Sequence, residues 1–245
     1  MISRARSLPK ISLVIPVYNE EESLPVLFEE VMETLEKLPE AFEIILVDDG
    51  SEDKSGSILR GFAGKDKRAR IVTLLRNSGQ SAAFAAGFRI ARGEVVVTMD
   101  ADLQNDPRDI PLLLDKIESY DLVCGWRANR QDPWVKRVAS RIANRIRNWL
   151  SEENINDVGC SLKAFRRECL QSFPYFNGMH RFFPTLIRMG GYSVTEVKVN
   201  HRPRKYGETK YGIRNRALRG LMDLLAVRWM KRRRIAYEIK EIINE

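Results

Sequence analysis

Residues 94–107 read EVVVTMDADLQNDP, and the class of fold can be inferred from this segment. The uninterrupted run of Val95, Val96 and Val97 is typical of a strand that is buried on both faces of a parallel sheet. Asp100 and Asp102 follow this run almost directly. Ligands of open α/β sheets bind beyond the carboxyl ends of the strands. The stretch therefore predicts a strand that ends in a polar binding crevice.

The preceding residues repeat this pattern of strand, turn and helix. Short apolar runs alternate with segments whose apolar residues recur at helical spacing. Strands are predicted at 11–17, 42–47, 70–75 and 94–99, and helices at 21–37, from 53 onward and at 80–91. This βαβα rhythm predicts an α/β fold of the nucleotide-binding type, in which helices flank a mostly parallel central sheet.

Beyond Asp102 the pattern is looser. Helices are predicted at 107–118, 134–150, 179–189 and 214–230, strands at 121–124 and 192–199, and loops around 154–163 and 202–211. No repeat or low-complexity linker divides the chain. We therefore predict one domain over residues 1–212 and a basic, amphipathic helical extension over residues 213–245.

The composition is that of a globular protein. The 245 residues are 44% hydrophobic and 30% charged, which excludes disordered and fibrous classes. The three cysteines lack metal-ligand spacing and indicate a reduced, cytosolic chain. No run approaches the roughly 18–20 apolar residues that span a bilayer, and no apolar signal-peptide core follows the N-terminal arginines. We expect a cytoplasmic protein that is neither secreted nor itself transmembrane.

The charge is divided unevenly along the chain. Residues 1–120 contain 15 Lys/Arg and 21 Asp/Glu, a net charge of −6, whereas residues 121–245 contain 26 and 12, a net charge of +14. This asymmetry indicates that the second half faces phosphates, nucleic acid or a lipid surface, with a solvated basic face as the alternative. A nucleic-acid partner is not expected, because no nucleic-acid-binding motif is present and because such a function would not explain the acidic pair Asp100 and Asp102.

The acids after the fourth strand predict a metal site. Two carboxylates and the amide oxygen of Gln104 are the oxygen ligands that Mg²⁺ or Mn²⁺ prefers. An isolated Asp-x-Asp pair is frequent in loops, but two unpaired acids at a buried strand end would be costly without a cation. We therefore predict that Asp100, Asp102 and Gln104 bind a divalent metal ion.

The acids after the second strand have two interpretations. Asp48 and Asp49 open into the same crevice, where they could accept hydrogen bonds from a nucleobase or from ribose hydroxyls. Alternatively, they favour the start of the next helix, with Ser51 or Asp53 as its N-cap. Both interpretations stay open for Asp49, and ligand binding is preferred for Asp48. The absence of Gly-x-Gly-x-x-Gly after the first strand argues against a dinucleotide dehydrogenase.

Several motifs in this order resemble family 2 glycosyltransferases of the GT-A fold. They are IPVYNE at 15–20, VDDGS at 47–51, NSG at 77–79 before an alanine-rich helix, and MDADLQ at 99–104. The resemblance narrows to the dolichol-phosphate mannose synthase-like branch through DADLQNDP at 100–107, GWR at 125–127, DVG at 157–159 and RKYGETK at 204–210. It covers roughly residues 10–230, and the ordered set is far more specific than any single motif.

The resemblance implies an inverting, metal-dependent transferase of cell-envelope glycan biosynthesis. It would move a hexose-type sugar from a UDP- or GDP-linked donor to a polyprenyl (undecaprenyl or dolichyl) phosphate. The nucleotide-sugar would contact Pro16, Tyr18, Glu20, Asp48, Asp49, Asp100, Arg204 and Lys210, and the catalytic residues would be Asp102, Arg127 and Asp157. Arg127, Arg204 and Lys210 would bind donor and acceptor phosphates, for which surface charge is the alternative interpretation.

Asp157 has two interpretations within this family. With a hydroxyl acceptor it would be the general base. A phosphate monoester is already largely ionised at neutral pH, since its second pKa is about 6. With such an acceptor, Asp157 would instead orient the acceptor or a basic neighbour.

Two basic segments predict peripheral binding to an anionic membrane surface. Residues 134–150 are predicted to form a basic amphipathic helix with a tryptophan, for which packing on the core is an interpretation at least as good. Near the C-terminus an apolar patch at 221–227 and Trp229 precede a basic run at 231–234. The lipid acceptor would then be reached at the inner face of the cell membrane, by peripheral docking or through a separate membrane-spanning protein.

Two other functions remain open from the sequence. The same fold could glycosylate a hydroxyl of a saccharide or of a lipid headgroup, with Asp157 as a true base. The second is that of a non-catalytic nucleotide-binding subunit of a membrane complex. The intact acidic pair and the RKYGETK loop argue against this function.

Overall fold

A seven-stranded sheet forms the centre of the molecule in the computed structural model, which describes residues 9–128, 155–203, 205, 213–235 and 241. The strands are β1 (Ile11–Val17), β2 (Phe42–Asp48), β3 (Ala69–Thr73), β4 (Val95–Thr98), β5 (Leu122–Trp126), β6 (Lys163–Arg166) and β7 (Val194–Lys198). Their order across the sheet is β3-β2-β1-β4-β6-β5-β7. β1, β2, β3 and β4 are parallel, and β5 and β7 are parallel to each other.

β6 is the strand that departs from the parallel arrangement among those described. It lies between β4 and β5 and runs antiparallel to both. Its first residue, Lys163, is in register with Thr98 of β4 and with Cys124 of β5. β6 therefore begins at the edge of the sheet where β4 and β5 end.

Helices cover both faces of the sheet. They are α1 (Leu24–Leu35), α2 (Ser55–Lys65), α3 (Gln80–Ile90), α4 (Ile110–Ile117), α5 (Phe183–Met189) and α6 (Ile213–Arg232), with 3₁₀ turns at Pro107–Asp109, Arg167–Gln171 and Met179–Arg181. α1, α2 and α4 pack on one face, and α3, α5 and the buried part of α6 pack on the other. Successive strand residues alternate between these layers, so both faces of β1 and β2 are buried and mostly apolar.

The predicted strands and helices are confirmed within a few residues wherever the structure describes them. The strand β6 was not predicted, because the loop around 154–163 was expected to continue where Lys163 in fact begins a strand. The N-cap of α2 is Lys54, so the alternative that placed Ser51 or Asp53 there is wrong. The helix predicted at 134–150 lies outside the described residues. The division between residues 212 and 213 stays a prediction.

The three cysteines, Cys124, Cys160 and Cys169, are buried thiols that form no disulfide, as expected. Within the described part of the chain, no helix combines the length and the apolar character needed to cross a membrane.

Candidate active site

The carboxyl ends of β1, β2 and β4 lie at one edge of the sheet. The chain passes from β1 outward to β2 and β3, and then returns to the other side of β1 as β4. The strand order therefore reverses between β1 and β4, and such a topological switch point is where open α/β sheets bind ligands. The predicted nucleoside-binding loop follows β1, and the predicted metal-binding acids follow β4.

The loop after β1 is hydrogen-bonded to the loop after β2. The N–H groups of Asn19 and Glu20 donate to the hydroxyls of Ser51 and Ser55, at 3.0 and 2.9 Å. In return, the N–H of Glu52 donates to Asn19 Oδ1 at 2.8 Å. Asn19 has a φ of 52°, a left-handed conformation that asparagine adopts more readily than most residues. These bonds hold the predicted nucleoside-binding loop in a defined shape.

The two acids after β2 have different surroundings. Asp48 is buried and accepts the N–H of Ser51 at 2.9 Å. Asp49 accepts the N–H groups of Ser78 and Gly79, each at 2.8 Å, on its two carboxylate oxygens. Burial raises the pKa of Asp49 in spite of these hydrogen bonds. Asp49 thus holds the loop that leads into α3, while contacts of either acid with a nucleoside stay predictions.

Asp100 and Asp102 are close together in surroundings that penalise charge. Asp100 is half-buried and accepts Gln80 Nε2 at 2.7 Å. Asp102 is buried and accepts the backbone N–H of Gln104 at 3.2 Å. Burial, and after it the charge of Asp102, raises the pKa of Asp100 to about 6. The two carboxylates therefore repel each other, and nearby positive charge would stabilise the pair.

The side chains present fit a divalent cation. The two carboxylates are of the kind that a hard metal ion prefers, and the amide oxygen of Gln104 stays a predicted third ligand. Leu103, between two of the predicted ligands, has a φ of 61°, a strained conformation that costs on the order of 1–3 kcal/mol and clusters at functional sites. Three or more Asp, Glu, His or Cys side chains in metal-binding geometry occur nowhere in the described part of the chain. The remaining ligands would have to be oxygens of a bound substrate or of water.

Arg127 and Asp157 form a bidentate ion pair. Arg127 donates from Nε at 2.7 Å and from Nη2 at 3.0 Å to the two carboxylate oxygens of Asp157, and its backbone N–H donates at 3.2 Å. Both side chains are largely buried, with 13% and 7% of their surface exposed. Burial lowers the pKa of Arg127, but Asp157 outweighs this effect and raises it. The charge of Arg127 also stabilises the ionised form of Asp100.

Asp106 and Asp109, which follow the acidic pair in the loop after β4, bind the segment after β7. Asp106 accepts Arg202 Nη2 at 2.8 Å and Arg108 Nη2 at 2.7 Å. Burial favours the neutral acid, but these hydrogen bonds outweigh it and lower the pKa of Asp106 to about 2. Asp109 accepts the backbone N–H of Asn200 at 2.6 Å. These contacts hold the loop after β4 against the segment that precedes the RKYGETK motif.

Two further residues of this site were not identified from the sequence. Gln80, which hydrogen-bonds Asp100, follows the NSG motif directly, and its position is the signal that could have identified it. Lys163 is only 2% exposed, and its Nζ donates to the carbonyl oxygens of Val158 and Cys160. The feature of the sequence that could have identified Lys163 is its position directly before the apolar residues Ala164 and Phe165. The charge of Lys163 also stabilises the ionised form of Asp100.

The remaining predicted site residues divide into two groups. Pro16, Tyr18 and Glu20 lie at the end of β1 and in the loop after it, at the predicted edge of the sheet. Arg204 and Lys210 lie outside the described residues, so their phosphate-binding roles stay predictions.

Comparison with known proteins identifies the family. The family model described as glycosyl transferase family 2 matches residues 12–173, which include β1 to β4, the acidic pair and Asp157. The chain belongs to glycosyltransferase family 2. The resemblance inferred from the ordered motifs is therefore confirmed.

Relatives in this family have names that refer to polyprenyl phosphates. The chain is 42% identical over 214 residues to the undecaprenyl-phosphate 4-deoxy-4-formamido-L-arabinose transferase of Serratia proteamaculans, covering 86% of this chain and 66% of the relative. It is 40% identical over 229 residues to the dodecaprenyl-phosphate galacturonate synthase of Rhizobium johnstonii, covering 91% and 68%. The chain thus spans about two thirds of the length of these curated relatives.

Solved structures of another enzyme share the fold. Glucosyl-3-phosphoglycerate synthase from Mycobacterium tuberculosis, in complex with Mn²⁺, UDP and phosphoglyceric acid, superimposes with a TM-score of 0.68 at 22% identity, covering 90% of this chain and 78% of that chain. Its complex with Mg²⁺ and UDP gives a TM-score of 0.65 at 19% identity, with 90% and 79% coverage. This likeness confirms the GT-A-type α/β fold.

Proposed function

We propose that this family 2 protein transfers a sugar from a nucleotide-sugar donor to a polyprenyl phosphate, with inversion at the anomeric carbon and with Mg²⁺ or Mn²⁺ as cofactor. The observation that carries the proposal is the convergence, at the switch point of the sheet, of the Asp100–Asp102 pair with the Arg127–Asp157 ion pair. Relatives at 42% and 40% identity that are named for polyprenyl-phosphate products support the acceptor class.

The donor would lie across the ends of β1, β2 and β4. Pro16, Tyr18, Glu20 and the acids after β2, Asp48 and Asp49, would contact the nucleoside. Asp100, Asp102 and Gln104 would hold the cation, which would supply positive charge to the departing nucleoside diphosphate. The complexes of the structural relative with UDP and Mn²⁺ or Mg²⁺ support this arrangement.

The transfer itself is a single displacement. An oxygen of the acceptor phosphate forms a bond to the anomeric carbon while the bond from that carbon to the diphosphate oxygen breaks, so no covalent intermediate with the protein is required. The acceptor phosphate is already largely ionised at neutral pH, because its second pKa is about 6. Asp157 therefore has no proton to remove. Its role would be to orient Arg127, whose guanidinium would bind phosphate oxygens.

The C-terminal helix α6 would place the protein on the inner face of the cell membrane. Leu224 and Val227 are buried against the domain, but Leu221, Met222, Leu225 and Trp229 are 46–62% exposed on another side of the helix. Apolar residues therefore lie on two sides of α6, and basic residues follow at 231–234. An apolar stripe beside a basic run fits an anionic lipid surface, where a polyprenyl phosphate would be available. A separate membrane-spanning partner is compatible with the same surface.

A transfer assay tests the proposal. Radiolabelled UDP- and GDP-sugars would be incubated with a short-chain polyprenyl phosphate, with Mn²⁺, Mg²⁺ or EDTA. We expect an organic-extractable product that EDTA abolishes, and we expect Asp102→Ala to lower turnover by at least roughly 10²-fold, since it removes charge at the developing leaving group. Asp115→Ala, which removes an exposed acid from α4, is the matched control and should leave turnover unchanged.

The outcomes separate the alternatives. Metal-dependent transfer to a soluble saccharide but not to the lipid phosphate would favour the hydroxyl-acceptor function. Retained turnover of Asp102→Ala in Mn²⁺ would contradict the metal assignment. Nucleotide binding without transfer or donor hydrolysis would favour a non-catalytic subunit.

A further inference from the structure

Glu196 holds the turn that carries Asp157. It lies on β7, in register with Cys124 of the neighbouring strand β5. Its two carboxylate oxygens accept the backbone N–H of Asn156 at 3.0 and 2.9 Å, the side-chain Nδ2 of Asn156 at 2.9 Å and the backbone N–H of Asp157 at 3.0 Å. One side chain of β7 therefore engages three donors of a segment that lies about 40 residues earlier in the chain.

The turn needs such contacts because residues 155–162 contain no helix or strand. Its backbone groups cannot satisfy one another as they would in regular structure, so their position depends on side chains from neighbouring strands. Lys163 provides one such contact at the carbonyl oxygens of Val158 and Cys160. Glu196 provides another at the backbone N–H groups of Asn156 and Asp157.

A continuous chain of hydrogen bonds then leads from Glu196 to Arg127. The carboxylate of Glu196 fixes the backbone of Asp157, and the side chain of Asp157 holds the guanidinium of Arg127 at 2.7 and 3.0 Å. Arg127 follows β5, the strand that pairs with β7, and Glu196 lies two residues before the carboxyl end of β7. Moving the Asp157 backbone by a few tenths of an ångström would displace the bidentate pair, because such pairs need a planar, directional fit.

We propose that Glu196 is a positioning residue of the transferase site, which acts on Arg127 through Asp157. This inference rests on the proposed function of that site. Charge on Glu196 is part of the role, because an ionised carboxylate accepts stronger hydrogen bonds than an amide and offers two acceptor oxygens instead of one. Loss of an outer hydrogen-bond partner of this kind typically lowers activity by about 10–100-fold.

The test compares Glu196→Ala and Glu196→Gln with Glu168→Ala, which removes an exposed glutamate elsewhere. We expect Glu196→Ala to lower kcat about 10–100-fold, with the KM for the nucleotide-sugar changed less than about threefold. Glu196→Gln, which keeps one acceptor oxygen, should fall between Glu196→Ala and the wild type. A kcat of Glu196→Ala equal to that of Glu168→Ala would overturn the inference.

A second comparison excludes a merely structural effect. In an Arg127→Gln background the substitution Glu196→Gln should cost less than about twofold in the remaining rate, because the residue through which Glu196 acts is already gone. The same fold loss in both backgrounds would overturn the inference.

A third measurement does not depend on turnover. Hydrogen exchange of the backbone N–H groups of Asn156 and Asp157 should become faster in Glu196→Ala, and unchanged exchange would overturn the inference. If exchange is faster in Glu196→Ala but the wild-type protein transfers no sugar and hydrolyses no donor, the proposed function is contradicted while the contact made by Glu196 is supported.

Discussion

At the scale of single residues, the hydrogen bonds of Asp157 separate its two interpretations. A general base must reach the proton that it removes, at about 2.6–3.2 Å, and must have a pKa near the working pH. Both oxygens of Asp157 contact the guanidinium of Arg127, and such a pair favours the ionised carboxylate. This geometry supports the proposal that Asp157 is an orienting residue and that Arg127 is the group that it orients.

Neutral substitutions of this pair should separate stability from activity. Asp157→Asn leaves the buried Arg127 without its charged partner, so we expect the free energy of unfolding to fall by roughly 3 kcal/mol. The double variant Asp157→Asn/Arg127→Gln contains no unpaired buried charge and should recover part of that loss. Each single variant and the double variant should lose about 10²–10³-fold in kcat, because the positive charge is displaced or absent. Urea unfolding and the transfer assay measure the two effects.

The orienting role requires that Arg127→Gln be about as harmful to kcat as Asp157→Asn. If Arg127→Gln keeps most of the activity while Asp157→Asn abolishes it, Asp157 is the base. Arg166→Gln is the control, since Arg166 is a partly exposed arginine whose nearest carboxylate, that of Asp121, lies 3.8 Å away. It should leave kcat unchanged.

At the scale of elements, helix α3 organises one side of the site. Gln80 at its first position binds Asp100, and the hydroxyl of Ser81 contacts His180 Nδ1 at 2.7 Å and the N–H of Gly178 at 3.0 Å. The placement of α3 on the sheet therefore sets the relative positions of the acidic pair and the 178–181 turn. That placement is close because Gly87 faces β1: a Cβ at this position would lie 2.3 Å from Val14 Cγ1.

Gly87→Ala and Gly61→Ala should change stability in opposite directions. Overpacking at Gly87 should destabilise the protein by roughly 2 kcal/mol, which lowers Tm by about 4–8 °C in a chain of this size. Gly61 lies on α2 with no atom within 4 Å of an added Cβ, so alanine there should stabilise by about 0.5–1 kcal/mol. Thermal unfolding of the two variants measures both effects.

The contact with Val14 gives this prediction its control. Val14→Ala should cost less in the Gly87→Ala background than in the wild type, because the shortened side chain makes room for the added methyl group. Equal costs in the two backgrounds, or a neutral Gly87→Ala, would contradict the close packing of α3 on β1.

At the scale of the whole molecule, the acidic half and the basic half of the chain contribute different parts of the structure. The acidic half, with a net charge of −6, contains the strands whose ends form the crevice, and its acids are held by hydrogen bonds there. The basic half, with a net charge of +14, includes α6 with its exposed apolar stripe. An exposed apolar stripe in a basic half of the chain supports the proposal that the protein works at an anionic lipid surface.

Vesicle sedimentation tests this arrangement. We expect the protein to bind vesicles that contain phosphatidylglycerol, to bind phosphatidylcholine vesicles weakly, and to be released by salt, since each basic residue near the surface contributes about 1 kcal/mol. Leu225→Asp should weaken the partition by roughly tenfold, because it places a charge within the apolar stripe. Leu112→Asp, on α4 at the other face of the sheet and 42% exposed, is the matched control and should have no effect. Equal binding of the two variants would contradict docking through α6.

Much of the fold and part of the site follow from sequence alone. The apolar runs, the helical periodicity and the acids at strand ends are local patterns, and they predicted β1 to β4, α1 to α3 and the edge at which Asp48, Asp100 and Asp102 meet. The ordered motifs predicted the family, since each motif reflects a local requirement for glycine, acid or base. The local patterns suffice because parallel strands joined by helices always bring their carboxyl ends to one edge.

Only the tertiary structure decided how Asp157 enters the site. Lys163–Arg166 is a four-residue strand, and so short a segment shows too little periodicity to be distinguished from the end of a loop. The strand lies between β4 and β5 and is antiparallel to both. The turn that precedes it, which contains Asp157, therefore lies at the edge of the sheet where β5 ends and Arg127 follows. The partners Arg127, Asp157 and Glu196 are 30 and 39 residues apart, so no local pattern could pair them. Which strands pair depends on contacts between distant segments, because both faces of the sheet must be buried together. The residues of any one segment do not determine it.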